Sequence, residues 1–93
     1  MVQLYNQRLE EARLELAGNI RKKLIQLMEE KCPYLGISLR SEGYHYIKDG
    51  HLYTMISTGP SYSERREIKP DELPLEEYSS SFLLIVARNI NLV

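Results

Sequence analysis

One dipeptide constrains this chain more than any other feature. Asp49-Gly50 stands between two runs rich in Tyr, Ile, Leu and Thr, within the stretch YHYIKDGHLYTMIS at 44–57. A two-residue type I′ turn needs positive φ at both central positions, which Asp tolerates and Gly adopts freely. The stretch therefore reads as a β-hairpin, and a loop of two residues sets its register. Lys48 opposes His51, Ile47 opposes Leu52, Tyr46 opposes Tyr53, and Tyr44 opposes Met55. Because side chains alternate along a strand, the hairpin has two faces of different character. Ile47, Leu52 and Ile56, with His45 and Thr54, form a core face. Tyr44, Tyr46, Tyr53 and Met55, ending in Lys48 and His51, form a contact face.

The segment before the hairpin reads as a long helix over 2–31. Apolar residues recur at Val2, Tyr5, Leu9, Ala12, Leu16, Ile20, Leu24 and Leu27, in steps of three and four. A helix of this length spans roughly 45 Å, more than a small domain needs. Gly18-Asn19 offers a place to end one helix and cap another. The favoured reading is an unbroken helix whose overhang packs on a second subunit, because Leu4, Leu14, Ile25 and Met28 give it a second apolar side. Pro33 ends it by pushing Cys32 out of the α region. The stretch YLGISLR at 34–40 then alternates as a half-buried strand, with Leu35, Ile37 and Leu39 inward. Tyr34 and Arg40 fall on the tyrosine face, and the three strands make an antiparallel meander.

Beyond the hairpin, 59–63 reads as a loop and ERREI at 64–68 as a short fourth edge strand whose charges discourage pairing. A second helix is expected over 71–88. Asp71 serves as its cap, Pro74 and Glu76-Glu77 suit a first turn, and Leu75, Tyr78, Phe82 and Val86 follow at helical spacing. The three serines at 79–81 and the pair Ile85-Val86 favour a strand from Ser81 instead. The expected fold is one α+β domain over 1–93, in the order α-β-β-β-(β)-α: a long helix on a three- to four-stranded antiparallel meander, with a C-terminal helix. Double-stranded RNA-binding domains share the order α-β-β-β-α. Their second helix is basic, however, whereas this one begins with Asp71, Glu72, Glu76 and Glu77.

Composition narrows the chemistry. The net charge of −1 and pI near 6.1 do not point to nucleic acid. A single cysteine, Cys32, makes no internal bridge and suits a reducing, cytoplasmic setting. The charged first residues contain no uninterrupted apolar stretch, so a secretory leader is not expected. The longest apolar run, at 82–87, is too short for a bilayer. The only histidines, His45 and His51, lie on opposite hairpin faces and cannot share a metal within one subunit. No cofactor and no metal are expected. His51 with Lys48, Arg65, Arg66 and Tyr53 makes the one arrangement able to cleave RNA without metal, and a solvated turn explains those residues as well.

The principal expectation is a non-enzymatic module that binds a protein, or a second copy of itself as a homodimer. Its contact face is Tyr44, Tyr46, Tyr53 and Met55, with Lys48, Arg40 and Tyr34 at the rim. Seven Tyr, one Phe and no Trp suit a surface alternately wet and buried. The alternative is an RNA- or DNA-binding module using Arg21, Lys22, Lys23, Arg65 and Arg66 for phosphate contacts. A small metal-independent nuclease ranks third.

Overall fold

The computed structural model describes the backbone at 2–39, 43–59 and 62–93, and side chains at 6–37, 45–55 and 64–93. Helix α1 (Val2–Glu29) is followed by strands β1 (Tyr34–Leu39), β2 (Gly43–Lys48), β3 (His51–Gly59) and β4 (Tyr62–Ile68). Two single turns of 3-10 helix then lead into helix α2 (Ser80–Asn89). The strands form one antiparallel sheet in the order β1-β2-β3-β4, so the expected α+β architecture stands with its fourth strand present.

The hairpin has the register its turn dictates: Lys48 faces His51, Tyr46 faces Tyr53, and Tyr44 faces Met55. Asp49 and Gly50 have φ of 52° and 81°, the paired left-handed residues of a type I′ turn. That turn also docks on the end of α1. Asp49 and Gly50 donate their backbone N–H groups to the carbonyls of Pro33 and Cys32, each at 3.1 Å. A Cβ on Gly50 would lie 2.8 Å from the Met28 carbonyl oxygen and 3.0 Å from Lys31 Cα.

Helix α1 runs through Gly18-Asn19 without interruption, and a Cβ on Gly18 would meet nothing within 4 Å. It ends slightly earlier than the expected 31. Lys31 takes φ 54°, while the N–H of Cys32 reaches Leu27 O and that of Lys31 reaches Met28 O. This is a Schellman closure with lysine where glycine is usual. Among the described residues, α1 contributes to the core from its second half, through Ala17, Ile20 and Leu24, flanked by Leu16, Leu27 and Met28. Residues 6–12 are exposed on every side, so the first described turns project beyond the core.

The core lies between the inner sheet face and the helices. Ile37, Ile47, Leu52 and Ile68 share one core with Leu83, Val86 and Ala87 of α2 and with Ile90 just after it, and Leu73, Leu75 and Tyr78 join from the connection. His45 is buried on this face too. Leu35 packs at its margin, whereas the side chains of Leu39 and Ile56 lie outside the described residues.

Two sequence expectations need correction. The stretch 59–63 is not simply a loop, because β3 continues to Gly59 and β4 begins at Tyr62, with a register shift between Ser57 and Gly59. Nor does one helix span 71–88. Pro74 holds Leu73 extended, at φ −80° and ψ 120°, so the acidic stretch forms only the 3-10 turns Pro70–Glu72 and Leu75–Glu77. Helix α2 starts after Ser79, whose hydroxyl accepts the Phe82 N–H at 3.3 Å. Of the serines that argued for a strand, Ser79 instead caps the helix and Ser80 and Ser81 begin it.

Two arginines of α1 hold this connection. Arg21 donates to the carbonyls of Leu73 at 2.9 Å and Pro70 at 3.3 Å, and pairs in two-pronged fashion with the Glu76 carboxylate. Arg13 donates to the carbonyls of Tyr78, at 2.9 Å, and Glu76. The Arg21 guanidinium, followed by a backbone hydrogen bond, lowers the Glu76 carboxyl from 4.5 to about 2.

The two glycines should respond oppositely to alanine. Gly18→Ala should stabilise the protein by about 0.5–1 kcal/mol, since it removes a mid-helix glycine into open space. Gly50→Ala should cost about 2 kcal/mol or more, from strained φ and backbone overlap. Urea midpoints read both, and a destabilising Gly18→Ala would mean that α1 breaks there. The Glu76 contribution, from a carboxyl lowered on folding, is complete above pH 4.5 and fades towards pH 2. Because Glu76 is half exposed, Glu76→Gln should cost at most ~1 kcal/mol at pH 7. The gap from the native protein should close as pH falls through that window, and a constant gap would rule out the pair with Arg21.

Candidate functional site

Both helices pack on the inner sheet face, so the outer face is where the tyrosines stand. Strand parity puts Tyr34 and Gly36 of β1, Tyr46 and Lys48 of β2, His51, Tyr53 and Met55 of β3, and Arg65 and Glu67 of β4 on that face. Tyr46 lies directly opposite Tyr53, and their rings stack with centroids 5.4 Å apart and planes 29° apart. On its other side Tyr46 faces Gly36, which has no side chain. The ring can therefore lean over β1 towards Tyr34, which it meets at 5.8 Å and 27°.

The row ends differently at its two sides. Arg65 pairs with Met55 in register but reaches diagonally over Tyr53, its guanidinium carbon 4.7 Å from the ring centroid. This is cation–π geometry, and it caps the last ring. At the opposite end Tyr34 is 57% exposed. Beside the row, His51 Nδ1 lies 2.7 Å from Glu67 Oε2, and its ring sits 6.3 Å from that of Tyr53.

Ring orientation decides what such a surface can hold. Rings lying flat side by side need wider centroid spacing than these have, so the three phenols stand on edge and face one another. Their faces are largely occupied by neighbouring rings and by Arg65. Towards solvent they present edges and hydroxyl-bearing tips, while Met55 and the stems of Lys48 and Arg65 add apolar surface. An incoming planar base has few ring faces to stack upon. A protein surface can be met by the ring edges and phenol tips.

The expected contact residues Tyr34, Tyr46, Lys48, Tyr53 and Met55 thus share one face. Tyr44 follows in register opposite Met55, but its side chain lies outside the described residues, as does Arg40 entirely. The cations of the alternative set do not converge. Arg65 is on the outer face and Arg66 on the inner. Arg21 is engaged by Glu76 and the connection, while Lys22 and Lys23 belong to α1 in the helical layer. His51 and Glu67 form a pair oriented for proton transfer, yet each side chain is 56% exposed. Such an open pair lacks the water-excluded surroundings that sharpen catalysis. Among the described residues no group of three or more His, Cys, Asp or Glu side chains is placed to hold a metal ion. No described helix is long and apolar enough to cross a membrane.

Two contributors went unseen in the sequence. Arg65 appears there as a phosphate contact rather than a ring cap, though its place opposite Met55 follows once β4 is paired. The Arg21 anchor carries no local signal, since its partners lie some fifty positions away. No family model matches the chain, and neither a curated protein nor a solved structure matches it.

Tyr46 stacks on both Tyr34 and Tyr53, and each stacked pair is worth about 0.5–1.5 kcal/mol. Tyr46→Ala should therefore destabilise the protein by about 1–3 kcal/mol in urea denaturation, and an unchanged midpoint would mean that the rings do not act as a row.

Proposed function

We propose that this chain is a non-enzymatic, protein-binding module that works without metal or cofactor. Its docking surface is the row Tyr34-Tyr46-Tyr53 with Met55, Lys48 and Arg65 around it. The observation that carries this reading is the stacking of three tyrosines, capped by an arginine, on the sheet face opposite both helices. Tyr, Met and Arg are the residues enriched where proteins meet, and rigid aromatic rings lose little rotamer freedom on contact. The row is rigid before a partner arrives, because each ring is held by its neighbour. The partner chemistry that fits is a protein surface with an apolar ridge to lie along the ring edges. The lone Cys32 fits a cytoplasmic setting.

The test uses a photo-crosslinking amino acid placed at Tyr34 and, as a control on the inner side of the sheet, at Arg66. A defined protein partner should be trapped from position 34 and not from 66. Capture should fall by about tenfold or more when Tyr46→Ser and Tyr53→Ser are combined, as expected for loss of two interface anchors, with the circular dichroism spectrum preserved. Crosslinks from 66 alone would overturn the reading. So would tight binding of a single-stranded oligonucleotide that weakens steeply with salt.

A further inference from the structure

The sheet has two edges, β1 and β4, and they are built oppositely. Strand β4 carries Glu64, Arg65, Arg66 and Glu67 in succession, whereas β1, YLGISL, has no charge and no proline. Charged edges resist pairing, and a flat uncharged edge invites it. We infer that the outer edge of β1 is a pairing site for β1 of a second copy of this chain, joining two sheets into one of eight strands.

Backbone parity and charge make a second copy a fitting occupant of this edge and not of the other. Lys48 and His51 flank a two-residue turn, so their N–H and C=O groups face each other across the hairpin. Those of Ile47 then face its β1 partner Leu35. It follows that Tyr34, Gly36 and Ser38 direct their backbone groups away from the sheet. A two-fold axis that pairs outward groups with outward groups must pass through a residue. On β1 that residue is Leu35, Gly36 or Ile37, and no charge meets its own copy. On the charged stretch of β4 the axis falls on Glu64, Arg65, Arg66 or Glu67, and each choice sets a like charge opposite itself. Such opposition destabilises strand pairs. Self-pairing is therefore compatible with one edge and disfavoured at the other.

A ladder of at most five β1 residues from each copy covers less surface than a stable dimer requires, which is about 1,200–2,000 Å² in total. The helical layer supplies more. Helix α2 is packed on β1, so two-fold pairing of the β1 edges brings the two α2 helices to the same side of the joined sheet, near the axis. Leu84 and Ile85 of that helix are 42% and 39% exposed, apolar surface that a neighbouring copy would cover. On the other face the exposed ring of Tyr34 comes beside the axis. The joined sheet carries two tyrosine rows, and the pairing itself does not depend on what those rows bind.

Light scattering of the full chain at about 100 μM, well above the dissociation constants of ordinary specific dimers, should give twice the 10.9 kDa chain mass. In hydrogen exchange the amides of Gly36 and Ser38 should slow by about tenfold or more on going from dilute to concentrated protein. Gly36→Pro removes an outward donor that the sheet itself does not use, and should return the mass to one chain. Should that variant fail to fold, the doubly exposed change Leu84→Lys with Ile85→Lys should give the monomer instead. A single-chain mass for the native protein would overturn the inference, leaving a partner's peptide as the only occupant of that edge. A dimer in which those two amides still exchange freely would overturn it equally, since the contact would then lie elsewhere, as on the projecting turns of α1.

Discussion

The arrangement depends on one contact, the Asp49-Gly50 turn seated against the C-terminal end of α1. Gly50 approaches the Met28 carbonyl so closely that a side chain has no room. Its amide and that of Asp49 bind the two carbonyls that follow the helix. Two hydrogen bonds and one close approach thus set where the hairpin tip sits relative to the helix. Strand parity then carries the placement through the sheet, putting Ile47 and Leu52 towards α1 and α2, and Tyr46 and Tyr53 away from them. Lys31 accepts a left-handed conformation at this junction although it is not glycine. The local cost is of order 1 kcal/mol, and the capped carbonyls and seated turn offset it.

A second set of contacts works at longer range. Arg13 and Arg21 gather the carbonyls of a connection that forms no extended helix of its own, and Glu76 completes the pair with Arg21. Buried carbonyls without partners would be costly, and guanidinium groups are suited to serving several at once. This holds Leu73, Leu75 and Tyr78 in the core and delivers the chain to Ser79, where α2 can start. The connection therefore governs the position of α2, and α2 in turn lies beside the uncharged edge of β1. The inner side of the fold thus bears on the edge proposed for pairing, while the outer side carries the proposed docking row.

Much of the scaffold was legible in the residues. Asp49-Gly50 specified the turn, alternation separated Ile47 and Leu52 from Tyr46 and Tyr53, and Pro33 marked the end of α1. The tyrosine face was likewise readable as a set of positions. Its stacking was not, because the lean of Tyr46 over Gly36 depends on the neighbouring strand, and the capping by Arg65 depends on β4. The acidic stretch before α2 misled for a local reason. Asp71, Glu76 and Glu77 suit a helix start, but Pro74 keeps Leu73 extended, so only separate turns can form.

By itself the sequence determined turn chemistry, strand parity and the run of α1 up to Pro33, since each depends on backbone preferences within a few residues. Tertiary structure alone decided that Arg21 binds a distant connection and that three phenols stand face to face with an arginine over the last of them. Those outcomes arise where segments tens of residues apart are pressed together. There packing and hydrogen-bond satisfaction outweigh the small local preferences that a linear reading can sense.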